Sequence, residues 1–331
     1  MAATIILVLI LIVSLIALVK GADVLVKGAS NISSTFKVPP ILIGLTVVAF
    51  GTSLPEFIVS LISVFVGSPD LSVGNIIGSN IANIGLGIGI AALFVSLAVK
   101  TKTIMYEFPF LLVSTLLLLI LGNNAYLFQQ NTFSLTRFDG IVMWVIFAIF
   151  LYYVLSSALS SRKNKSTTSN EFEKEYKDTS PEPIWKSSLF ILAGILLLAL
   201  GGKFFVDASS EIAFLFGLSE AFIGLTIVAI GTSLPDIITT VVAAVKGERE
   251  IAVGNVVGSN IFNIFFVLGT VSLLKPIGIN PSLLLVDGIV MLVLTILFLV
   301  FATRGKNINR WEGVVLILSY IAYMAYLIAG L

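Results

Sequence analysis

Apolar residues along this chain gather into ten long runs that are separated by polar stretches. About 20 consecutive apolar residues cross a bilayer as a helix, so each run predicts one transmembrane helix. The predicted helices lie at 3–19, 40–66, 72–98, 104–122, 138–160, 186–206, 222–246, 251–274, 282–302 and 311–330. The first run lacks the basic flank and the cleavage site of a signal peptide, and we expect it to remain as a helix.

One longer polar stretch divides the runs into two groups of five. Residues 161–185 mix both charges with Ser and Thr and end near two prolines, a composition typical of a flexible linker. We therefore divide the chain into a first five-helix unit at 1–160, a linker at 161–185 and a second five-helix unit at 186–331.

Basic residues predict how the helices are oriented in the membrane. If the N-terminus lies outside, the inner loops hold 16 of the 19 Lys and Arg residues. The outer side then holds only Arg137, Lys203 and Lys275. Because basic residues concentrate in cytoplasmic loops, we expect a multi-pass protein of the cell membrane with both termini outside and the linker in the cytoplasm.

Composition narrows the possible functions. Apolar residues make up 58% of the chain and charged residues 11%, against roughly 25% charged in soluble domains. This excludes a soluble enzyme, a disordered protein and a nucleic-acid binder. The chain has no Cys and no His, which excludes disulfides, Cys/His zinc sites and imidazole proton shuttles. We expect no enzymatic activity and no cofactor, and the chemistry that remains is that of oxygen ligands.

The two five-helix units resemble each other at a shift of 180 residues. Ile43–Glu56 and Ile223–Asp236 share 11 of 14 residues, and Val73–Ile84 and Val253–Ile264 share 9 of 12. The shared residues include Gly, Pro, Thr, Ser and Asn, which chance similarity between apolar helices would not produce. Because five is odd, the second unit enters the membrane from the opposite side. The sequence thus predicts an all-α polytopic membrane protein built from two inverted five-helix repeats.

The second and seventh predicted helices each contain Gly-Thr-Ser-Leu-Pro followed by an acid. Glycine is flexible and proline lacks an N–H donor, so we expect both helices to break there. The break would free the carbonyls of Ala49 and Ala229 as cation ligands. The motifs add the hydroxyls of Thr52, Ser53, Thr232 and Ser233. Alternatively, the two Ser residues cap the following half-helix together with the acid.

The acids of these motifs are Glu56 and Asp236. An ionisable group in the middle of a membrane span is costly to bury and is a candidate for function by default. We therefore predict that both acids belong to the functional site.

The third and eighth predicted helices carry a second polar motif. Asn75, Ser79 and Asn83 recur every four residues and share one helix stripe, and Asn255, Ser259 and Asn263 do the same. We expect Asn83 and Asn263 to line the cavity, whereas Asn75, Asn80, Asn255 and Asn260 could simply bond helices together. Gly74 and Gly78, like Gly254 and Gly258, form pairs of small residues that would let another helix approach closely.

Such an all-oxygen set suits a hard cation. Calcium takes six to eight oxygen ligands, and two carboxylates would neutralise one calcium ion. The same oxygens, redistributed, could hold sodium ions. An organic substrate would need an apolar pocket with orienting groups, for which the sequence offers no distinctive signal.

The paired GTSLPE/GTSLPD and GSNIAN/GSNIFN motifs resemble the alpha repeats of the sodium/calcium exchanger family, within the calcium/cation antiporter superfamily. The resemblance implies exchange of sodium for calcium by alternating access, with the first and sixth helices as gates. It implies four central ligand positions at Glu56, Asn83, Asp236 and Asn263. Further ligand positions are Thr52, Ser53, Ser79, Thr232, Ser233 and Ser259, with the carbonyls of Ala49 and Ala229. The short linker leaves no room for the regulatory domains of animal exchangers.

Position 263 departs from part of this superfamily, because potassium-dependent exchangers carry Asp where this chain has Asn263. Three alternatives stay open beside sodium/calcium exchange: proton/calcium antiport on the same fold, a passive cation channel, and a sensor or scaffold. Glu56 and Asp236 could accept protons, but the GNxxE-type motifs of proton-coupled relatives are absent. The expected partners are calcium, sodium and the lipid bilayer, and the sequence does not indicate an oligomeric state.

Overall fold

The computed structural model of the protein describes residues 2–123, 133–163, 182–215 and 229–329. These residues form eleven helices, counted so that short π-helical segments belong to the helix that contains them. The helices are α1 (Ala2–Phe36), α2 (Pro40–Thr52), α3 (Leu54–Phe65), α4 (Pro69–Phe94), α5 (Thr103–Gly122), α6 (Arg137–Lys163), α7 (Ile184–Leu215), α8 (Ala229–Val245), α9 (Arg249–Leu274), α10 (Leu283–Gly305) and α11 (Arg310–Ala329). The π-helical segments are Gly44–Val48, Asn83–Ile88, Thr103–Glu107, Phe262–Leu268 and Leu283–Asp287.

By length and apolarity, eight of the described helices can cross a membrane, and the bent pair α2 and α3 makes a ninth candidate. These correspond to nine of the ten predicted spans. The remaining span, predicted at 222–246, contains the shorter apolar helix Ile230–Val245. The beginning of this predicted span lies outside the described residues.

The break predicted in the second span is present. Helix α2 ends at Thr52, Ser53 leaves the helical conformation with φ −90° and ψ 6°, and α3 begins at Leu54. The two segments meet at 46°. Pro55 stands in the first turn of α3, where its missing N–H costs no hydrogen bond.

The break predicted in the seventh span is wrong for the described residues. Helix α8 runs without interruption from Ala229 to Val245, with Pro235 inside it. A proline removes one hydrogen bond, here to the carbonyl of residue 231, and its ring crowds that carbonyl. Because residue 231 is glycine, its flexible backbone can adjust to the ring while the turns on either side remain helical.

Two pairs of short strands join loops from the two halves of the chain, an element that the sequence did not predict. Strand β1 (Leu97–Ala98) pairs antiparallel with β4 (Asn307–Ile308), and β2 (Ser134–Leu135) pairs with β3 (Ile277–Gly278). Leu97 lies opposite Ile308, and Leu135 lies opposite Ile277. All four of these side chains are buried.

Polar contacts near the ends of the helices form two groups. The first group joins Asp23 to Lys246, Ser30 to Glu248, Lys27 to Glu182, and Lys100 to Glu250. The second joins the Lys275 ammonium to the Val64 carbonyl, and the Asp70 carboxylate to the backbone N–H of Asn280. Every contact in the first group joins segments predicted to be cytoplasmic. In the second group, Lys275, Asp70 and Asn280 belong to segments predicted to be outside, and Val64 lies near the outer end of the predicted span 40–66.

Helices α4 and α9 form the centre of the fold, because their most apolar segments are far more buried than those of the other candidate spans. Helix α9 meets α2 backbone to backbone, as the spacing of Gly254 and Gly258 predicts. A Cβ atom at Gly254 would lie 2.6 Å from the Ile41 carbonyl oxygen, and one at Gly258 would lie 2.6 Å from the Leu45 carbonyl oxygen. The broken span is therefore seated directly on α9. The same prediction of a close approach is wrong for Gly74 and Gly78 of α4, because an added Cβ would lie 3.7 Å from Leu283 Cδ2 at Gly74 and would meet no described atom within 4 Å at Gly78.

We predict that Gly258→Ala forces α2 away from α9 and lowers the free energy of unfolding by about 1–3 kcal/mol, the usual cost of overpacking. Thermal unfolding of the detergent-solubilised protein measures the effect. Gly305→Ala is the matched control, because a Cβ there meets no described atom within 4 Å. Equal unfolding midpoints for the two variants would contradict the tight α2–α9 contact.

Candidate cation site

The two acids of the repeated motifs are buried in the interior of the protein. Glu56 stands in the first turn of α3, directly after the break, and Asp236 follows Pro235 in α8. Both side chains are 0% exposed. The two carboxylates lie close enough for appreciable electrostatic repulsion.

Hydrogen-bond donors from both halves surround the Asp236 carboxylate. The Ser259 hydroxyl donates to Oδ1 at 2.8 Å. The Asn83 amide donates to Oδ2 at 3.1 Å, and the Ser53 hydroxyl donates to the same oxygen at 3.4 Å. Ser53 and Asn83 belong to the first half, so the Asp236 carboxylate accepts hydrogen bonds across the interface between the halves. Ser53 makes no hydrogen bond that caps α3, so the capping alternative does not hold for this residue.

The Glu56 carboxylate is in the opposite situation. Ser79 and Ser233 lie beside it, but neither carboxylate oxygen has a hydrogen-bond partner among the described residues. The same holds for four other buried oxygens of predicted site residues: Ser79 Oγ, Ser233 Oγ, Asn83 Oδ1 and Asn263 Oδ1. Buried acceptors without donors are costly, and a bound cation would satisfy them.

Four asparagines join α4 to α9 at their midpoints. The amides of Asn80 and Asn260 each donate to the backbone carbonyl of the other, at 3.3 and 3.2 Å. Asn83 donates to Asn260 Oδ1 at 3.2 Å, and Asn263 donates to Asn80 Oδ1 at 3.1 Å. Asn80 and Asn260 therefore bond the helices together, which was one of the two alternatives for them. Asn83 and Asn263 use their N–H groups in this network and keep their carbonyl oxygens unpartnered.

The hydroxyls of Thr52 and Thr232 point at asparagines of the other half. Thr232 donates to Asn75 Oδ1 at 3.2 Å. Thr52 donates to Asn255 Oδ1 at 3.1 Å, with the Val48 carbonyl at 2.9 Å as an alternative acceptor. Both threonines thus lie at the candidate site. Thr232 donates to an amide, whereas Thr52 has an amide and backbone carbonyls as acceptors.

The carbonyl of Ala49 is not freed by the break, contrary to expectation. It accepts the backbone N–H of Ser53 at 3.0 Å, because the helix continues to Thr52 before it ends. The Thr52 hydroxyl lies 3.3 Å from the same oxygen, and a lone pair remains for a cation when this hydroxyl donates elsewhere. Ala229 is the first described residue of α8, and that helix is unbroken, so its carbonyl does not stand at a helix break.

Sequence reasoning left Asn75 and Asn255 outside the site and did not single out Ser60 or Thr240. The amide of Asn75 donates to the Glu56 carbonyl at 3.3 Å and to Ser60 Oγ at 3.1 Å. A signal was present, since Ser60 and Thr240 are hydroxyl residues at the same 180-residue shift that relates the motifs.

Four further buried acids lie outside this cluster: Glu107, Asp139, Asp287 and Glu312. Tyr153 donates to Glu107 Oε1 at 2.6 Å, and Tyr323 donates to Asp287 Oδ1 at 3.0 Å. In the described part of the chain, no group of three or more Asp, Glu, His or Cys side chains is arranged to hold a metal ion. The negative charge at the candidate site is therefore that of Glu56 and Asp236.

The unequal surroundings of the two acids predict unequal effects of two matched substitutions. Ser259→Ala removes a donor from Asp236 and should lower the free energy of unfolding by about 1–3 kcal/mol. Ser79→Ala removes a hydroxyl that has no such bond and should have a much smaller effect. Thermal unfolding in chelator-treated, sodium-free buffer compares the two variants, and equal losses would contradict the asymmetry.

Comparison with known proteins identifies the family. The family described as sodium/calcium exchanger protein matches residues 6–156 and 186–329. The putative antiporter CaxA of Alkalimonas amylolytica is 38% identical over 321 residues, which cover 96% of this chain and 97% of that protein. The sodium/calcium exchanger MaX1 of Methanosarcina acetivorans is 33% identical over 341 residues, covering 96% and 97%.

A solved structure of the sodium-calcium exchanger NCX_Mj, soaked with sodium and without calcium, has a similar fold. Its TM-score is 0.80 at 28% identity, and the match covers 97% of this chain and 99% of that one. The family match extends over both halves of the chain and agrees with the resemblance of the motifs. The chain therefore belongs to the sodium/calcium exchanger family of membrane antiporters.

Proposed function

We propose that this protein exchanges sodium for calcium across the cell membrane by alternating access. The observation that carries the proposal is the pair of buried acids, Glu56 and Asp236, set among unpartnered oxygens where the two halves meet. Two carboxylates balance the charge of one calcium ion. The surrounding amide and hydroxyl oxygens supply neutral ligands of the kind that calcium and sodium prefer.

Four residues form the centre of the proposed site: Glu56, Asn83, Asp236 and Asn263. Around them we place the hydroxyls of Ser53, Ser79, Ser233 and Ser259, then Thr52 and Thr232, and the carbonyl of Ala49. A cation at Glu56 replaces no hydrogen bond of that carboxylate, whereas at Asp236 it must share oxygens that already accept three donors. We infer that the first contact of an entering ion is with Glu56.

Exchange of sodium for calcium follows from the limited negative charge of this site, which has two carboxylates. Calcium and sodium would draw on the same carboxylates, and an excess of positive charge in a low-dielectric interior is costly. Binding of one ion type therefore opposes binding of the other. This competition couples the sodium gradient to calcium movement when the site opens alternately to the two sides.

We further propose that 1–160 and 186–331 are inverted repeats of five spans each, joined by the linker 161–185. Contacts between α1 and α7 support this arrangement. A Cβ at Gly201 would lie 3.2 Å from the Ser14 carbonyl oxygen, and one at Gly28 would lie 2.8 Å from the Ser187 carbonyl oxygen. Residue numbers rise along α1 as they fall along α7, so these equivalent helices run antiparallel. The reciprocal bonds between Asn80 and Asn260 fit a twofold axis in the membrane plane.

The orientation that we propose places both termini outside and the linker in the cytoplasm. If successive spans cross the membrane in alternating directions, the first group of polar contacts lies on one side of the membrane and the second group on the other. The group that includes Lys246 and Lys100 belongs to the more basic face, which the positive-inside rule assigns to the cytoplasm.

We propose that α1 and α7, the first and sixth spans, act as gates, as the resemblance to the family implies. A Cβ at Gly51 would lie 2.5 Å from Ile195 Cδ1, and a Cβ at Gly231 would lie 2.1 Å from Val206 Cγ2. Both Gly-Thr-Ser motifs are therefore packed directly against α7. A displacement of α7 would alter the surroundings of both motifs together.

Proton/calcium antiport would use the same two acids, but family membership and the likeness to a sodium-calcium exchanger favour sodium. We expect proteoliposomes loaded with sodium to take up radioactive calcium, and uptake to collapse when the sodium gradient is dissipated. Choline-loaded and acid-loaded vesicles are the controls. Uptake driven only by an acid interior would support the proton-coupled alternative, and uptake without any gradient would indicate a channel.

We predict that Glu56→Gln and Asp236→Asn each abolish transport. One remaining carboxylate must then balance a divalent ion, and the uncompensated charge costs several kcal/mol in a buried site. The amides keep the size of the side chains, so folding should survive. Sodium-driven calcium uptake by monodisperse protein measures the effect, and wild-type rates in either variant would contradict the assignment.

We predict that transport neither requires nor carries potassium. An additional monovalent cation beside calcium needs a third carboxylate, and Asn83 and Asn263 provide uncharged oxygens instead. Replacing potassium with choline at clamped membrane potential should leave calcium flux unchanged. A strict potassium requirement would show that the charge at position 263 does not determine coupling in this protein.

A further inference from the structure

Asn75, which lies on α4 outside the proposed ligand set, connects three groups. Its amide nitrogen donates to the Glu56 carbonyl at 3.3 Å and to Ser60 Oγ at 3.1 Å, and its oxygen accepts the Thr232 hydroxyl at 3.2 Å. Both amide hydrogens are used, so the orientation of the side chain is defined. Glu56 and Ser60 belong to the first half, whereas Thr232 belongs to the second.

Asn255 on α9 repeats this pattern in the other half. Its amide nitrogen donates to the Asp236 carbonyl at 3.1 Å and to Thr240 Oγ1 at 3.0 Å, and its oxygen accepts the Thr52 hydroxyl at 3.1 Å. Each partner lies 180 residues from its counterpart around Asn75. Two equivalent asparagines with equivalent partners indicate a role that both halves share.

We propose that Asn75 and Asn255 are positioning residues that couple each central acid to the Thr-Ser segment of the opposite half. This inference rests on the proposed function, because it concerns how the acids are presented to the ion. Asn75 contacts the backbone of Glu56 rather than its carboxylate, so it acts on the peptide unit from which the acid extends. Through Thr232 it relates that peptide unit to the position of Ser233, a proposed ligand.

The consequence is a crossed linkage between the halves. A shift of the segment at Thr232 and Ser233 changes the support of Glu56 through Asn75. A shift at Thr52 and Ser53 changes the support of Asp236 through Asn255. An ion that draws one segment inward thereby adjusts the acid that faces it from the other half. The site assembles as a unit, although its ligands come from two separate repeats.

The experiment compares Asn75→Ala with Ser60→Ala, a matched control that removes one partner of the amide but keeps its bonds to Glu56 and Thr232. Calcium dissociation constants are measured by equilibrium dialysis on the monodisperse fraction of each variant. Loss of a residue that orients a metal ligand typically weakens affinity by about 10-fold to 100-fold, which we expect for Asn75→Ala. Ser60→Ala should remain within about threefold of wild type, well below that range.

A double-substitution cycle tests whether Asn75 acts through Thr232. If it does, Asn75→Ala combined with Thr232→Val binds calcium no more weakly than the weaker single variant. Wild-type affinity in Asn75→Ala, equal losses in Asn75→Ala and Ser60→Ala, or losses that multiply in the double variant would each overturn the proposal. Asn75→Ser and Asn255→Ala carry the same test if Asn75→Ala does not fold.

The same cycle, measured as unfolding midpoints in ion-free buffer, separates this inference from the proposed function. Groups that interact give non-additive shifts, whereas independent groups give shifts that add. If the wild type binds no calcium but the midpoints are non-additive, the proposed function fails and the linkage stands. Additive midpoints overturn the linkage whatever the wild type transports.

Discussion

The burial of two carboxylates in an apolar interior is the constraint on which this structure depends. Removing an ionised carboxylate from water costs several kcal/mol even after the protein relaxes, and two neighbouring carboxylates also repel each other. The Asp236 carboxylate is compensated by three hydrogen-bond donors from both halves, whereas the Glu56 carboxylate has no hydrogen-bond partner among the described residues. The fold therefore presents one acid that is largely satisfied and one that a cation would satisfy.

The remaining architecture holds oxygen atoms around this pair. Helices α4 and α9 exchange backbone and side-chain hydrogen bonds through Asn80 and Asn260, so the two halves are joined at their centre. Gly254 and Gly258 bring α2 against α9 at backbone distance, which places the break at Ser53 beside the second half. In an apolar environment these polar contacts and close backbone approaches replace the hydrophobic effect as the cause of helix association.

Much of the candidate site could be predicted from the sequence, because polar residues are conspicuous in apolar runs and the polar motifs recur at a constant shift. Glu56, Asp236 and the six hydroxyl residues of the motifs all lie at or beside the cluster that the structure brings together. The predicted break at Gly231 was wrong, because a proline does not by itself end a helix. Asn75 and Asn255 were left as bonds between helices, since a side chain on a polar stripe does not reveal which backbone it will meet.

The sequence by itself determined the membrane class, the repeated motifs, and the oxygen-rich side chains of the candidate site, since these follow from composition and spacing along the chain. Only the tertiary structure decided which oxygens are paired. The motifs around Glu56 and Asp236 are nearly identical, yet Ser259 bonds to its acid and Ser79 does not. Hydrogen bonds depend on differences of a few tenths of an ångström between helices that are distant in sequence, and such differences arise only when both halves pack against each other.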